Sequence, residues 1–148
     1  MGLTMNQKRL VEAAKAVARE LGEQGRCLSG LIGELGVCEK MDLEWRPSDG
    51  FDAVTKEGRR IQIKTRKSWS TREVNPLGRL GRFGRKAGYL FDDGLLVELD
   101  SAFETNQIWQ LGKDQIQALE EKIPGEGLHV GTFMRHARGV YKSEKRSD

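Results

Sequence analysis

Apolar residues recur every three or four positions across residues 6–21. Leu10, Ala14, Val17, Ala18 and Leu21 form one stripe, and the spacing predicts an amphipathic helix. Gly22-Glu23-Gln24-Gly25 ends it. A second helix is predicted over residues 29–41, with Ser29 as its cap and Leu31, Leu35 and Cys38 toward the core. Leu43-Glu44-Trp45 reads as a short strand or extended link, and Pro47-Ser48-Asp49-Gly50 as a turn. The period then shortens to two over Asp52-Ala53-Val54-Thr55 and Arg60-Ile61-Gln62-Ile63-Lys64, which predicts a β-hairpin. Beyond an irregular stretch, residues 94–99 read as a buried strand and residues 107–111 as another. Residues 113–122 read as a helix with Asp114 near its start, and residues 128–133 as a last strand. The tail over residues 142–148 is polar. This order predicts a mixed β-sheet flanked by helices, an α/β fold, in a single domain over residues 1–148.

The hairpin turn decides which side chains share a face. With Lys56-Glu57-Gly58 as a three-residue loop and Gly58 at positive φ, Thr55 pairs with Arg59. Val54 then faces Arg60 and Asp52 faces Gln62. Asp52, Gln62 and Lys64 are predicted together on one face, with Ile61 and Ile63 turned to the core. A two-residue loop would put Asp52 opposite Ile63 and disperse the group.

Charge sharpens this picture. The chain has 25 Lys and Arg against 22 Asp and Glu. Ten of the basic residues fall between Arg59 and Lys86, opposed only by Glu73, so the remainder is net acidic. Such a concentration beside a polar cluster is the footprint expected of phosphate-backbone contact. Arg66, Lys67, Arg72, Arg79, Arg82, Arg85 and Lys86 are the candidate nucleic-acid contacts. The alternative is a solvated basic loop. Pro76, Gly78, Gly81, Gly84 and Gly88 punctuate that loop. Trp69 and Phe83 within it either stack on bases or anchor it to the core.

Other function classes recede. No apolar run approaches the roughly 20 residues a membrane span needs. No signal-peptide pattern opens the chain, so a cytoplasmic protein is expected. Cys27 and Cys38, with His129 and His136, lack zinc-site spacing, and the cysteines are expected to be reduced thiols.

An acid on a helix, an acid on a strand and Gln-x-Lys on the next strand suit phosphodiester hydrolysis assisted by Mg2+, for which Mn2+ could substitute. Asp52 is the main candidate metal ligand. The Ile63 carbonyl, Gln62 and Glu34 complete the candidate set, Glu34 directly or through water. Lys64 is placed to orient the attacking water or stabilise the phosphorane charge. Simpler roles stand beside these: Asp52 capping the preceding turn, Glu34 facing solvent on its helix, Gln62 a plain polar strand residue, and Lys64 a phosphate contact. Asp92-Asp93 reads as a loop start.

The residues Gly33-Glu34-Leu35, Gly50-Phe51-Asp52-Ala53 and Gln62-Ile63-Lys64 resemble the motifs of the PD-(D/E)xK, or restriction-endonuclease-like, nuclease superfamily. Gln62 stands where that family carries an acid. The longer string with Arg60-Ile61-Gln62-Ile63-Lys64 also resembles a group of small bacterial proteins of restriction-endonuclease-like type with no assigned reaction. The resemblance implies an αβββαβ core and a magnesium-dependent nuclease, with DNA favoured over RNA. It places Glu34, Asp52, Gln62 and Lys64 in catalysis. Cutting both strands from one site per chain would favour a homodimer. The alternative is a non-catalytic nucleic-acid-binding module on a nuclease scaffold. A third class, a protein-interaction domain, would leave the basic run idle.

Overall fold

The computed structural model describes residues 2–68 and 78–144. Among these described residues six strands form one sheet in sequential order. They are β1 (Glu44–Ser48), β2 (Phe51–Val54), β3 (Arg60–Lys67), β4 (Asp93–Leu99), β5 (Thr105–Gly112) and β6 (Arg138–Lys142). Neighbours are antiparallel except β3 and β4, which run parallel. The predicted α/β class, a mixed sheet flanked by helices, is therefore present. The αβββαβ order implied by the resemblance calls for a helix between the third and fourth strands. Described residues 78–92, which make up most of that crossover, hold none.

Strand alternation gives the sheet two apolar faces. On one, Ala53, Ile61, Ile63, Leu95, Val97 and Ile108 pack against α1 (Met5–Leu21) and α2 (Ser29–Met41). On the other, Leu96 and Leu111 join Ile116 of α3 (Lys113–Glu121), Phe133 of α4 (Val130–His136), and Leu80, Phe83 and Phe91 of the crossover. Both faces of β4 are covered, which is why all seven of its residues are buried.

Local chemistry accounts for the helices around the site. Thr4 and Gln7 form a capping box that starts α1, and Gly22 at φ 60 ends it. The stripe read for this helix is rotated from the one that packs. Val11, Ala14, Lys15 and Ala18 are buried, while Leu10, Val17 and Leu21 are exposed. Lys15 reaches the interior because its ammonium meets Glu104 at 3.1 Å. The second helix keeps its expected limits, but Ser29 is not its cap; the Ser29 hydroxyl donates to the Arg26 carbonyl at 2.7 Å. Burial on α2 is broad, including Ile32, Leu35, Val37 and Cys38. Its glycines let it lie close to the sheet. A Cβ at Gly33 would fall on the Thr65 side chain, and one at Gly36 would come within 2.5 Å of the Thr105 hydroxyl.

Two other expectations change. The last strand read over residues 128–133 is instead helix α4, whose Val130 and Phe133 are buried with the three-residue period of a helix. The edge strand β6 lies where the chain reads as the approach to a polar tail, half-buried only at Val140 and Tyr141. Among the described residues no helix is long and apolar enough to cross a membrane.

Candidate functional site

The hairpin closes as its turn chemistry requires. The Thr55 amide donates to the Arg59 carbonyl at 2.9 Å, and Gly58 takes φ 84. Val54 pairs with Arg60 and Ala53 with Ile61. That places Asp52, Gln62 and Lys64 on the side opposite Ile61 and Ile63.

Beyond Ala53 the ladder opens. Regular pairing would give the Ile63 amide to the carbonyl of Phe51. Instead it donates to Asp52 Oδ2 at 2.8 Å. The Asp52 side chain thus turns into the gap between two separating strands, within reach of groups from both sheet faces. Glu34, on α2, approaches from one side. Its carboxylate accepts from Trp45 Nε1 of β1 at 3.2 Å, which fixes its direction. Lys64 stands on the other side, its ammonium 5.4 Å from the centre of the buried Phe83 ring.

The charges interact. Burial raises the Glu34 carboxyl to about 7, and the nearby Asp52 adds to the rise against Trp45 and Lys64. Burial also raises Asp52, opposed by the Ile63 amide, Lys64 and Arg85. Lys64 is lowered by burial and then by Arg85, with Asp52 opposing. Each effect follows from removing a charge from water and placing another beside it. Cys38 lies near the same acids, and burial first, then Glu34 and Asp52, lifts its thiol to about 12. It is an inert packing group, as expected of a reduced core cysteine. Cys27 is a free, exposed thiol.

Glu34, Asp52 and Lys64 are therefore brought together, with Arg85 joining them from 21 residues along the chain. Gln62 is buried, 5 % exposed, and its backbone joins the β3–β4 ladder opposite Gly94, while its side chain makes no hydrogen bond to another described residue. Ile63 meets Asp52 through its amide rather than its carbonyl. As a donor set, two neighbouring carboxylates, with the charge of Asp52 disfavouring ionisation of Glu34, suit a hard divalent cation. Among the described residues no group of three or more His, Cys, Asp or Glu gathers to hold a metal, so the charge on offer is that of the two acids.

The basic run divides into tied and open members. Arg79 donates to the Gly127 carbonyl at 2.8 Å and pairs with Glu126. Arg82 donates to the Ile123 and Glu126 carbonyls. Both stitch the crossover to the segment after α3, a structural duty that sequence reading assigned to nucleic acid. Arg66 donates to the Thr65 carbonyl, and Lys67 lies over the Phe103 ring at 4.7 Å. Arg85 and Lys86 are exposed at the tip of a tight turn closed by Arg85–Gly88 backbone bonds. Arg72 and Trp69 lie outside the described residues. Phe83 is buried among Phe91 and Phe133 and anchors the loop, the second of the two roles open to it. Asp92 and Asp93 pair with Arg60 and Arg59. His136 contacts the Thr132 carbonyl, and His129 precedes α4.

Glu120 was not singled out from the sequence. It is fully buried on α3 and accepts from the amides of Phe83 (2.8 Å) and Gly84 (3.0 Å) and from the Tyr89 hydroxyl (2.8 Å). This carboxylate holds the crossover segment that brings Phe83 and Arg85 to Lys64. Its signal was its place four residues after Ile116, on the helix's apolar side. Trp45, the residue that aims Glu34, was equally legible only once β1 and β2 are paired, Trp45 opposite Ala53.

No protein-family model matches this chain, and no curated protein matches it.

Proposed function

We propose that the protein is a metal-dependent nuclease acting on DNA, with Mg2+ as cofactor and Mn2+ able to replace it. The observation that carries this reading is the meeting of Glu34, Asp52 and Lys64 where β2 and β3 separate, with Arg85 beside them. Asp52 and Glu34 would hold the cation, Glu34 directly or through water, with Gln62 and the Ile63 carbonyl as neutral oxygens. When bound, the cation supplies Lewis-acid polarisation of the scissile phosphate. Lys64 and Arg85 place two positive charges where phosphate oxygens gain negative charge as the P–O bond to the leaving sugar oxygen breaks. Glu34, titrating near neutrality, is suited to accept the proton of the attacking water. Arg85 and Lys86, with Arg66 and Lys67, form the basic border for the strand. The restriction-endonuclease-like fold belongs to the same proposal, as does a cytoplasmic location.

Incubation of purified protein with plasmid, linear and branched DNA in Mn2+ or Mg2+ tests this reading. Cleavage that disappears in Asp52→Ala and with chelator is the expected result. DNA binding with a steep salt dependence and no cleavage in any divalent cation would overturn it. That outcome belongs to the second reading, a non-catalytic nucleic-acid-binding module, which the neutral Gln62 and the two-acid donor set favour. Gln62→Glu separates the two further. If the missing charge is what silences the site, this substitution confers Mn2+ binding and cleavage on a protein that otherwise lacks them.

A further inference from the structure

The outward side of α1 is apolar where a helix facing only water would be polar. Leu10, Val17 and Leu21 are 41 %, 47 % and 47 % exposed. Separations of seven and four residues keep them within one narrow stripe, and the exposed Ala13 lies between Leu10 and Val17. The stripe matches its own reversal to within one residue. An antiparallel second copy, related by a twofold axis near residue 15, sets Ala13 opposite Val17 and brings Leu10 and Leu21 within one residue, about 1.5 Å of rise, of direct opposition. Long side chains meet at the ends, and a methyl group meets Val17 in the middle, as close helix packing requires.

Charge follows the same symmetry. Arg9 and Glu20 are exposed along one border of the stripe, and neither forms an ion pair with another described residue. Lys15 and Arg19, by contrast, are paired with Glu104. Under the same twofold axis, Arg9 of each copy comes within one residue of direct opposition to Glu20 of the other, an offset that these long side chains span. Reversed hydrophobic size and reversed charge therefore select the same antiparallel partner, and that partner is a second copy of this chain.

We infer that α1 is a self-association surface, pairing antiparallel through Leu10, Ala13, Val17 and Leu21 with reciprocal Arg9–Glu20 ion pairs. One helix pair buries less than the roughly 1,000 Å2 that stable interfaces usually exceed, so the dimer is weak and concentration-dependent. The inference needs nothing from the proposed chemistry.

Sedimentation velocity on the full chain, from low micromolar to submillimolar concentration, tests it. The sedimentation coefficient should rise with concentration, less so at high salt. Val17→Glu should leave monomer throughout. Arg9→Glu and Glu20→Arg should each weaken association about tenfold, since each places like charges opposite one another twice. The double exchange, Arg9→Glu with Glu20→Arg, should restore it. These residues are exposed, so thermal melts should show all variants folded. A chain that is monomeric at every concentration overturns the inference. So does a dimer indifferent to Val17→Glu, or a double exchange that associates no better than the single reversals.

Discussion

Asp52 Oδ2 takes, at 2.8 Å, the hydrogen bond that the Ile63 amide would otherwise give to the backbone carbonyl of Phe51 on the same neighbouring strand. This side chain is at once a substitute ladder acceptor and the acid nearest the proposed reaction. The two duties can be separated. Asparagine keeps a carbonyl oxygen for the Ile63 amide and removes a charge that burial disfavours, so Asp52→Asn should match or exceed the parent in stability. Asp52→Ala leaves the amide unsatisfied and should cost about 1–3 kcal/mol. Both should lose cleavage, by at least about a hundredfold if Asp52 holds the cation. Urea denaturation and plasmid nicking measure the two properties on the same samples. Cutting by Asp52→Asn at the parental rate would remove Asp52 from the chemistry.

Glu34 gives the site a pH dependence of definite sign. Its carboxyl moves from an ordinary value of 4.5 to about 7 in the folded protein, through burial and then Asp52. Between those values the folded state binds more proton than the unfolded state. Folding stability attributable to this group is therefore undiminished below about pH 4.5, falls as pH rises, and reaches its floor above about 7. Glu34→Gln keeps an acceptor for Trp45 and abolishes that loss. Its advantage over the parent should be larger at pH 8 than at pH 5, read from urea midpoints. A cation binds the ionised form, so Mn2+ affinity by calorimetry should climb through pH 7 in the parent and flatten in Glu34→Gln. An equal stability gap at both pH values would show that Glu34 does not titrate in this window.

What could be read from the residues was mostly what local rules decide. Gly58 and a three-residue loop dictate the pairing of Val54 with Arg60, so the shared face of Asp52, Gln62 and Lys64 followed from turn geometry. The end of α1 followed from the glycines after Leu21, whereas α2 begins at Ser29 without the side-chain cap read there. The rest depends on contacts between distant segments. Arg85 reaches Lys64 only because Glu120 holds the crossover, and nothing near residue 85 says so. Arg79 and Arg82 look like their neighbours in the basic run, yet carbonyls after α3 take up their guanidinium groups. Leu10, Val17 and Leu21 satisfy the helical period as well as Val11, Ala14 and Ala18 do. Periodicity gives a helix its stripe but does not choose between two overlapping stripes. The turn of Asp52 into the gap between strands is likewise a departure from ideal pairing that alternation cannot foresee.

Gly33 sets how closely the helical acid approaches the sheet. A Cβ there would meet the Thr65 side chain on β3. Gly33→Ala must therefore push α2 outward or displace Thr65, and overpacking of this kind costs about 1–3 kcal/mol. The same shift moves Glu34 away from Asp52, so the raised Glu34 titration should fall toward the ordinary value. Thr65→Ala removes the obstructing hydroxyl and methyl groups. Combined with Gly33→Ala it should recover much of the loss, a coupling that a double-mutant cycle reads directly. Additive effects of the two changes would place the strain elsewhere.

Glu120 gathers the crossover by accepting from two backbone amides and one hydroxyl inside an apolar core. Removing a buried acceptor with several donors should be among the most damaging single changes available to this fold. Glu120→Ala strands the Phe83 and Gly84 amides and the Tyr89 hydroxyl, and should cost about 3–5 kcal/mol. Tyr89→Phe removes only one donor with its acceptor still served by the amides, and should cost about 1 kcal/mol. Glu120→Gln should fall between them, because its amide nitrogen cannot accept from a backbone amide. Arg85→Ala provides the contrast: the side chain is exposed, so stability should hold while DNA cleavage falls. Chemical denaturation and single-turnover cleavage across this set distinguish holding the crossover from contacting phosphate. If Glu120→Ala melts like the parent, the crossover is held by Phe83, Phe91 and Phe133 alone, and the carboxylate has no part in positioning Arg85.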